Sequence, residues 1–499
     1  DIPADQKESA EKWRENLIEQ VAETDDTLLE KFFEDGSLSD DEIKNGLRKG
    51  ALNGKVYPTL FGSAENMAGV QLFADFLVSY LPAPLDFEHV TLKKVGTDDT
   101  VDIKIDPSAK PVLYFYKTSS EGQSGDTFCF RVMTGSVTPG TELTNHSRGG
   151  SERLGQLYVL TGKDRAEVSV LHAGDLGAAT KLKDTHTGNS LSTKDNPLVF
   201  PEPVYPEPVA DAAISPLKKG DEEKMSQGLS RLREADPSFK VVSDPALKQT
   251  VLIGQGMTQV ENLLERLKKD YGVEVETSKP RIPYRETIRG KTEIQHRYKK
   301  QSGGRGQFGD VHLRLEPQAR GEGFEFVNGI SGGVIPTKFI PSVEKGVREA
   351  MIEGQLSGSP IVDLKATVFY GSYHAVDSSD MAFKIAASMA FKEGITQCKP
   401  ILLEPIFEVE VIAPEKNAGD VMGDVSSRRG KILGMEPDGS RQIVRAHIPQ
   451  SELYNYSVDL RSMTQGQGRF TRKFSHYEAA PGDVQKKITE EYATSRKEG

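Results

Sequence analysis

The spacing of apolar residues changes period several times along the chain, and each change marks a new structural unit. Residues 4–50 are rich in charge, and Trp13, Leu17, Val21, Leu28 and Leu29 form one apolar stripe at helical spacing, which predicts solvated helices. The run Val56-Tyr57-Pro58-Thr59-Leu60-Phe61 predicts a short strand, followed by the small-residue turn Gly62-Ser63-Ala64. A helix follows with Val70, Leu72, Phe73, Phe76, Leu77 and Tyr80, and Pro82 and Pro84 stop it. Strand, turn and helix make half of an α/β unit. Half a layer cannot bury both faces of a sheet, so residues 1–85 read as the tail of a domain whose beginning lies elsewhere.

From 86 to 200 the period drops to two. Runs such as Val112-Leu113-Tyr114-Phe115-Tyr116 and Phe128-Cys129-Phe130-Arg131-Val132, separated by Gly, Asp and Ser turns, predict an antiparallel β-barrel. Residues 201–208 carry prolines that fix φ and withhold ladder donors, which makes a stiff linker. Two later segments, 209–280 and 404–482, then share one layout. In the first, strand 209–215 leads to a helix with Met225, Leu229 and Leu232, then to strands 239–243 and 248–254. A second helix is expected to open with Thr258 and Glu261 as a capping box, and a strand at 273–277 closes the unit. In the second, strand 406–412 precedes a helix starting at Pro414, strands 431–436 and 441–447, a helix near 451–462 and strand 469–477. Strand-helix-strand twice over is the ferredoxin-like split βαβ plan, repeated in fold and not in sequence. Between the two lies an α/β module, 281–403, whose helices are expected at 341–353 and 378–393. Ser378 is the expected N-cap of the second, and Gly354 and Gly394 the expected stops. A charged helix, 483–499, ends the chain.

The charge distribution refines this picture. The formal net charge of −11 argues against a general nucleic-acid coat, but residues 1–50 carry 15 acidic and 7 basic side chains. Residues 281–400 carry 17 basic and 13 acidic, a mildly basic distal module on an acidic body. Cys129 and Cys398 lie far apart without metal-ligand spacing and read as inert core thiols of a reducing compartment. No apolar run is long enough to span a membrane. The chain opens Asp1-Ile2-Pro3 without Met, so an internal start is expected.

Few motifs carry catalytic chemistry. Gly290-Lys291-Thr292 ends like a phosphate-binding P-loop, but Arg285 occupies the position of the first glycine and no apolar strand precedes it. Asp420-Val421-Met422-Gly423 matches a DxxG switch string by chance, and neither zinc spacing nor a nucleophile elbow is present. The chain alone does not read as a catalyst. Two polar loops are more telling. Gln301-Ser302-Gly303-Gly304-Arg305-Gly306-Gln307-Phe308-Gly309 is a Gly-rich basic turn running into a strand. Tyr370-Gly371-Ser372-Tyr373-His374-Ala375-Val376-Asp377-Ser378-Ser379 lies between a strand and a helix. Guanidinium and imidazole groups on such loops suit phosphates and exposed nucleotide edges, although either loop alone would read as an ordinary turn.

Both loops resemble the domain IV tip of elongation factor G, the translocating GTPase of the ribosome. Matches follow in the family's order over essentially the whole chain. They include Ala173–Ala178, Arg281–Ile288, Gly332–Pro336, Met381–Ala386, Gly423–Gly430 and Leu460–Gly468. The resemblance implies a multidomain α/β and β protein: the C-terminal part of a P-loop GTPase domain (1–85), a translation-factor β-barrel (86–200), two ferredoxin-like domains and a ribosomal-protein-like domain IV. It implies that backbone groups of Ser63 and Ala64 face a guanine base, a reading that stands beside a plain tight turn. It implies an RNA-contacting tip made of Gly303, Gly304, Arg305, Gln307 and His374. For Arg428 and Arg429 it implies contacts with large-subunit RNA, alongside the alternative that the pair caps a helix C-terminus.

The parent protein would then be a monomeric, cytoplasmic, ribosome-stimulated GTPase that uses GTP and Mg²⁺ and promotes movement of tRNA and mRNA. Its partners would be decoding-site RNA, tRNA, mRNA and the large-subunit factor-binding region. This chain alone lacks the P-loop, Mg²⁺ and switch motifs and is expected to be inactive and to bind no cofactor. A recycling or ribosome-protection factor of the same family, or a non-enzymatic RNA-binding fragment, are the alternatives. Two departures, Gly254-Gln255-Gly256-Met257-Thr258-Gln259-Val260 and Ala375, point to a divergent paralogue.

Overall fold

The structure is a computed structural model that describes residues 2–87, 89–120, 125–162, 164–301 and 306–498. It divides into two compact units, one made of residues 1–204 with Glu234–Asp236, the other of 205–233 with 237–499.

In the first unit, helices Lys7–Ala22, Asp26–Asp35 and Asp40–Leu52 enclose a small core of Val21, Ala22, Leu38 and Ile43. Each of the last two helices starts on a side-chain cap. Asp25 accepts from the Thr27 N–H, and Ser39 forms a reciprocal capping box with Glu42. Trp13, expected in the apolar stripe, is instead 67% exposed. The expected strand at 56–61 also fails to form. Those residues are irregular, because among the described residues no neighbouring strand offers them a ladder. Helix Val70–Tyr80 forms as expected but buries none of its residues. The segment that follows is β. Eight antiparallel strands form one sheet, centred on the hairpin Val112–Ser120 and Asp126–Thr134, around Leu113, Phe115, Phe130, Leu157 and Leu191. Strands His89–Lys94 and Thr100–Lys104 make a small separate sheet with Leu198–Val199.

The second unit contains both split βαβ layouts. In the first, strand Ala210–Pro216 pairs with Gln249–Gly254 on one side and Val275–Ser278 on the other, and Lys240–Asp244 takes the edge. Helices Glu222–Ala235 and Met257–Tyr271 cover one face with Met225, Leu229, Leu232, Val260, Leu263 and Leu267. The second helix starts on Gly256 and not on a Thr258 box. The Gln259 side chain reaches back to accept the Gln255 N–H at 2.8 Å, so Thr258 lies inside the helix. In the second layout, strand Pro400–Pro414 is central, between Arg441–Pro449 and Arg469–Ala479, with Lys431–Asp438 at the edge. The N-terminal part of that long strand also pairs with Arg285–Ile288, which ties the layout to the module before it.

That module has a four-stranded sheet in the order 292–300, 307–317, 364–372, 324–328, with the last pair parallel. Helices Ile340–Ile352 and Asp380–Gln397 pack on one face over Val311, Leu313, Leu315, Ala366 and Val368. Gly394 does not stop the second helix, which continues to Gln397. It is buried there because a Cβ would lie 2.8 Å from Leu315 and 3.0 Å from Ile294. The free thiols Cys129 and Cys398 are buried, and burial pushes the second up to about 11, so neither is a ready thiolate. Among the described residues, no helix is long and apolar enough to cross a membrane, and no cluster of His, Cys, Asp and Glu has the makings of a metal site.

Candidate nucleic-acid interface

The two polar loops meet at one end of the α/β module. Strands Thr292–Lys300 and Gln307–Pro317 pair residue by residue from Thr292 opposite Leu315 to Lys300 opposite Gln307, a regular ladder up to its last pair. Gly303, Gly304 and Arg305 lie outside the described residues. Gln307 is exposed at the ladder's end, and its side-chain carbonyl accepts from the Tyr298 hydroxyl at 3.1 Å, which leaves its amide N–H₂ facing out.

The second loop is clamped to the first by Ser378. Its hydroxyl donates to the Phe308 carbonyl at 3.0 Å and accepts from the His374 N–H at 2.9 Å, while Phe308 N–H donates to the Asp377 carbonyl at 2.9 Å. Ser378 is therefore not the helix cap. Ser379 takes that role and accepts from the Ala382 N–H, which frees its neighbour to join the two loops. Two glycines permit the approach. A Cβ on Gly306 would stand 2.9 Å from the Asp377 carboxylate, and one on Gly309 would stand 2.7 Å from the Ala382 carbonyl oxygen.

His374 is held by its own loop. Its Nδ1 accepts from the Asp377 N–H at 3.2 Å and lies 3.3 Å from Asp377 Oδ2. With Nδ1 accepting, the neutral ring carries its proton on Nε2. A protonated ring would turn Nδ1–H onto the Asp377 carboxylate instead. Either way Nε2–H remains a donor on a side chain that is 56% exposed. The strand bearing this loop is fixed below by Asp310, which is 2% exposed and accepts from Ser372 Oγ at 2.7 Å and Gln295 Nε2 at 2.9 Å. Sequence reading missed Asp310, since an acid in an alternating strand carries no signal of its partners. Ala375 is exposed at the loop's outer edge and contributes no charge.

Arg428 and Arg429 are spent inside their own domain. Arg428 bonds Asp424 at 2.8 Å, Asp459 at 2.7 Å and the Glu452 carbonyl at 2.8 Å, and it lies over the Tyr456 ring. Arg429 grips both oxygens of Glu404 at 2.7 and 2.9 Å and bonds Glu452 at 3.0 Å. The Glu404 hydrogen bond holds its guanidinium above the ordinary arginine range. Arg428 is also the C-cap residue of helix Ala418–Ser427, with its N–H on the Asp424 carbonyl at 3.1 Å, the position the helix-cap alternative expected. Sequence alone offered no signal for Glu404, which is distant in the chain.

The Gly62-Ser63-Ala64 turn is also partly committed. Ser63 N–H donates to the Ala68 carbonyl at 2.9 Å and the Ala68 N–H returns the bond at 3.0 Å. The Ser63 N–H is thus engaged within the turn in this structure. Gly290-Lys291-Thr292 leads into the hairpin strand, with Gly290 N–H on the Cys398 carbonyl at 2.8 Å. A phosphate cradle needs a turn from strand to helix, so this site is excluded.

The pairing of a hairpin with a helix-capping loop, on a module set between two split βαβ layouts, defines a class of multidomain translation factor. Residues 205–279 match the family described as elongation factor G domain III, 280–399 elongation factor G domain IV, and 401–488 the elongation factor G C-terminus. A crystal structure of a protein from Thermus thermophilus is similar at 35% identity and a TM-score of 0.77, covering 99% of this chain and 72% of that one. The chain belongs to the elongation factor G family, a family of translational GTPases.

Proposed function

We propose that this protein, a divergent member of its family, promotes GTP-dependent movement of tRNA and mRNA on the ribosome as a cytoplasmic monomer, with the fourth domain entering the decoding site. The observation that carries this reading is the geometry of His374. The side chain is 56% exposed on a loop locked to the hairpin through Ser378, and with Nδ1 engaged by its own loop the donor it can offer is Nε2–H. Such a donor bonds a 2′-hydroxyl or phosphate without reading a base, which suits a factor that must accept every codon. Gln307, on the adjoining strand, adds a second donor.

His374→Ala in the full-length protein is expected to slow single-turnover translocation about tenfold, in line with the roughly 1–3 kcal/mol of a nucleic-acid contact, while ribosome-stimulated GTP hydrolysis continues. Translocation at the wild-type rate would remove the tip from the mechanism. Wild-type translocation accompanied by a loss of subunit splitting would favour a recycling factor.

GTP and Mg²⁺ belong to the parent protein in this reading. In support of it, no GxxxxGK(S/T) string occurs in the sequence, and the Ser63 N–H is bonded to the Ala68 carbonyl. Calorimetry with GTP and Mg²⁺ is expected to show no binding to this chain. Stoichiometric uptake of heat would overturn that part of the proposal.

A further inference from the structure

The face of the domain IV sheet turned away from the helices carries a set of side chains that the tip does not use. Val311, Leu313 and Leu315 point to the core, so Asp310, His312 and Arg314 point outward, with Lys299, Arg297, Gln295 and Glu293 opposite Phe308 and these three on the neighbouring strand. On the other side the ladder slips between His312 and Leu313. His312 pairs with Tyr370 and Leu313 with Val368, which leaves Phe369 as the extra residue of a bulge. The bulge brings two successive aromatic rings to one histidine. Tyr370 and Phe369 meet His312 edge-on at 5.0 and 5.8 Å, and the Arg314 guanidinium lies 5.2 Å over Phe369. Tyr370 is 50% exposed in spite of these contacts.

The charges around this cluster are arranged to leave cations free. Glu293 is bonded by Arg314 at 2.7 Å, Asp310 is enclosed by Ser372, Gln295 and Arg297, and Glu325 is paired with Lys365. Glu316 stands opposite Lys365 in the ladder. Among the described residues no carboxylate pairs with the exposed Lys299, which lies opposite Phe308 toward the tip. Rings, a stacked guanidinium and the Lys299 ammonium group on one open sheet face match the chemistry of an unstacked nucleotide and a neighbouring phosphate. A protein partner would call for a continuous apolar patch, and this face is interrupted by Gln295, Thr367 and Ser372.

We propose that this sheet face is a second RNA-binding surface, on which Tyr370, with His312, Phe369 and Arg314 behind it, stacks an unpaired nucleotide while Lys299 holds an adjoining phosphate. The surface continues the tip. His312 lies four residues along the strand from Phe308, about 14 Å at the rise of a β-strand, and Phe308 sits against His374 with ring centroids 6.4 Å apart. The inference rests on the translocase reading of the tip and extends it from loops to the strands beneath.

The test uses the full-length protein stalled on ribosomes carrying A-site tRNA. Tyr370→Ala is expected to weaken binding about tenfold, as loss of one base–aromatic stack does, and Tyr370→Phe, which keeps the ring, to bind within about twofold of wild type. Thermal unfolding of both is expected to match wild type, since the side chain is half exposed. A benzophenone amino acid at position 370 is expected to cross-link to RNA. Wild-type affinity for Tyr370→Ala, equal weakening by Tyr370→Phe, or cross-links to ribosomal protein alone would each overturn the inference. His374→Ala serves as the separate control. If it weakens binding while Tyr370→Ala does not, the sheet face fails and the tip stands; if neither variant weakens it, the tip reading falls as well.

Discussion

Arg429→Ala is expected to destabilise the C-terminal domain by about 3 kcal/mol, and this loss should account for any loss of ribosome binding. The side chain of Glu404 is 4% exposed and that of Arg429 is 28% exposed. The bidentate bond between them, at 2.7 and 2.9 Å, satisfies the buried carboxylate. Removing the guanidinium leaves a buried anion without its principal partner, which is the costly way to break such a pair. Removing both members together costs less than the sum of the two single changes, because neither charge is then stranded. Arg429 also sits at φ +58°, a left-handed conformation that the surrounding bonds maintain and that alanine would keep without their help. Hydrogen exchange resolved to residues 404–412 and 441–449 is the suitable measurement, since a chain of several domains does not unfold as one two-state system. Unchanged protection together with weakened ribosome binding would restore Arg429 as a direct RNA contact.

Glu286→Ala is expected to cost about 4 kcal/mol within the fourth domain, from several buried donors at roughly 1–3 kcal/mol each after partial relaxation. Glu286 is fully buried and accepts from the N–H groups of Gln355 at 2.7 Å, Leu356 at 3.0 Å and Ser357 at 2.8 Å, and from the Ser357 hydroxyl at 3.0 Å. These groups belong to the connection between helix Ile340–Ile352 and strand Leu364–Ser372, the strand that carries His374 to the tip. Gly354 is required beside it, because a Cβ there would lie 2.3 Å from the carboxylate. Glu286→Gln keeps one acceptor and should cost about half as much. Amide exchange at 355–357 is expected to accelerate first and most. Protection as in the wild type would mean that the loop holds its shape without the carboxylate.

The chain order of helices and strands, both split βαβ layouts and the position of the two tip loops were legible in the residues. Apolar periodicity reports which face of an element is buried, and turn residues report where it stops, and both signals are local. Signals of the same kind failed where two local solutions competed. Ser378 and Ser379 are equally good caps, and the choice fell to Ser379 because the Phe308 carbonyl, distant in sequence, needed the hydroxyl of Ser378. Gly394 looks like a helix stop, yet it serves as the small residue that lets the helix lie on Leu315 and Ile294. Residues 56–61 have the composition of a strand and lack a neighbour to pair with.

The candidate site divides in the same way. That His374 and Gln307 lie exposed on polar loops was legible in the sequence, because loop chemistry is carried by neighbouring residues. The burial of Asp310, Glu286 and Glu404 was not, and for the Arg428–Arg429 pair the sequence left an RNA contact and a helix cap as equal readings. A buried ionic group is recognised only by its partners, and those partners lie 15 positions away for Gln295 and Asp310, 25 for Glu404 and Arg429, and 69 for Glu286 and Gln355. No local pattern encodes such separations. The amino-acid order fixes which segments are helix or strand and which loops are polar. Which charges are spent inside the protein, and which remain exposed, is settled when folding brings distant carboxylates and guanidinium groups together, because burying either one unpaired is too costly to survive.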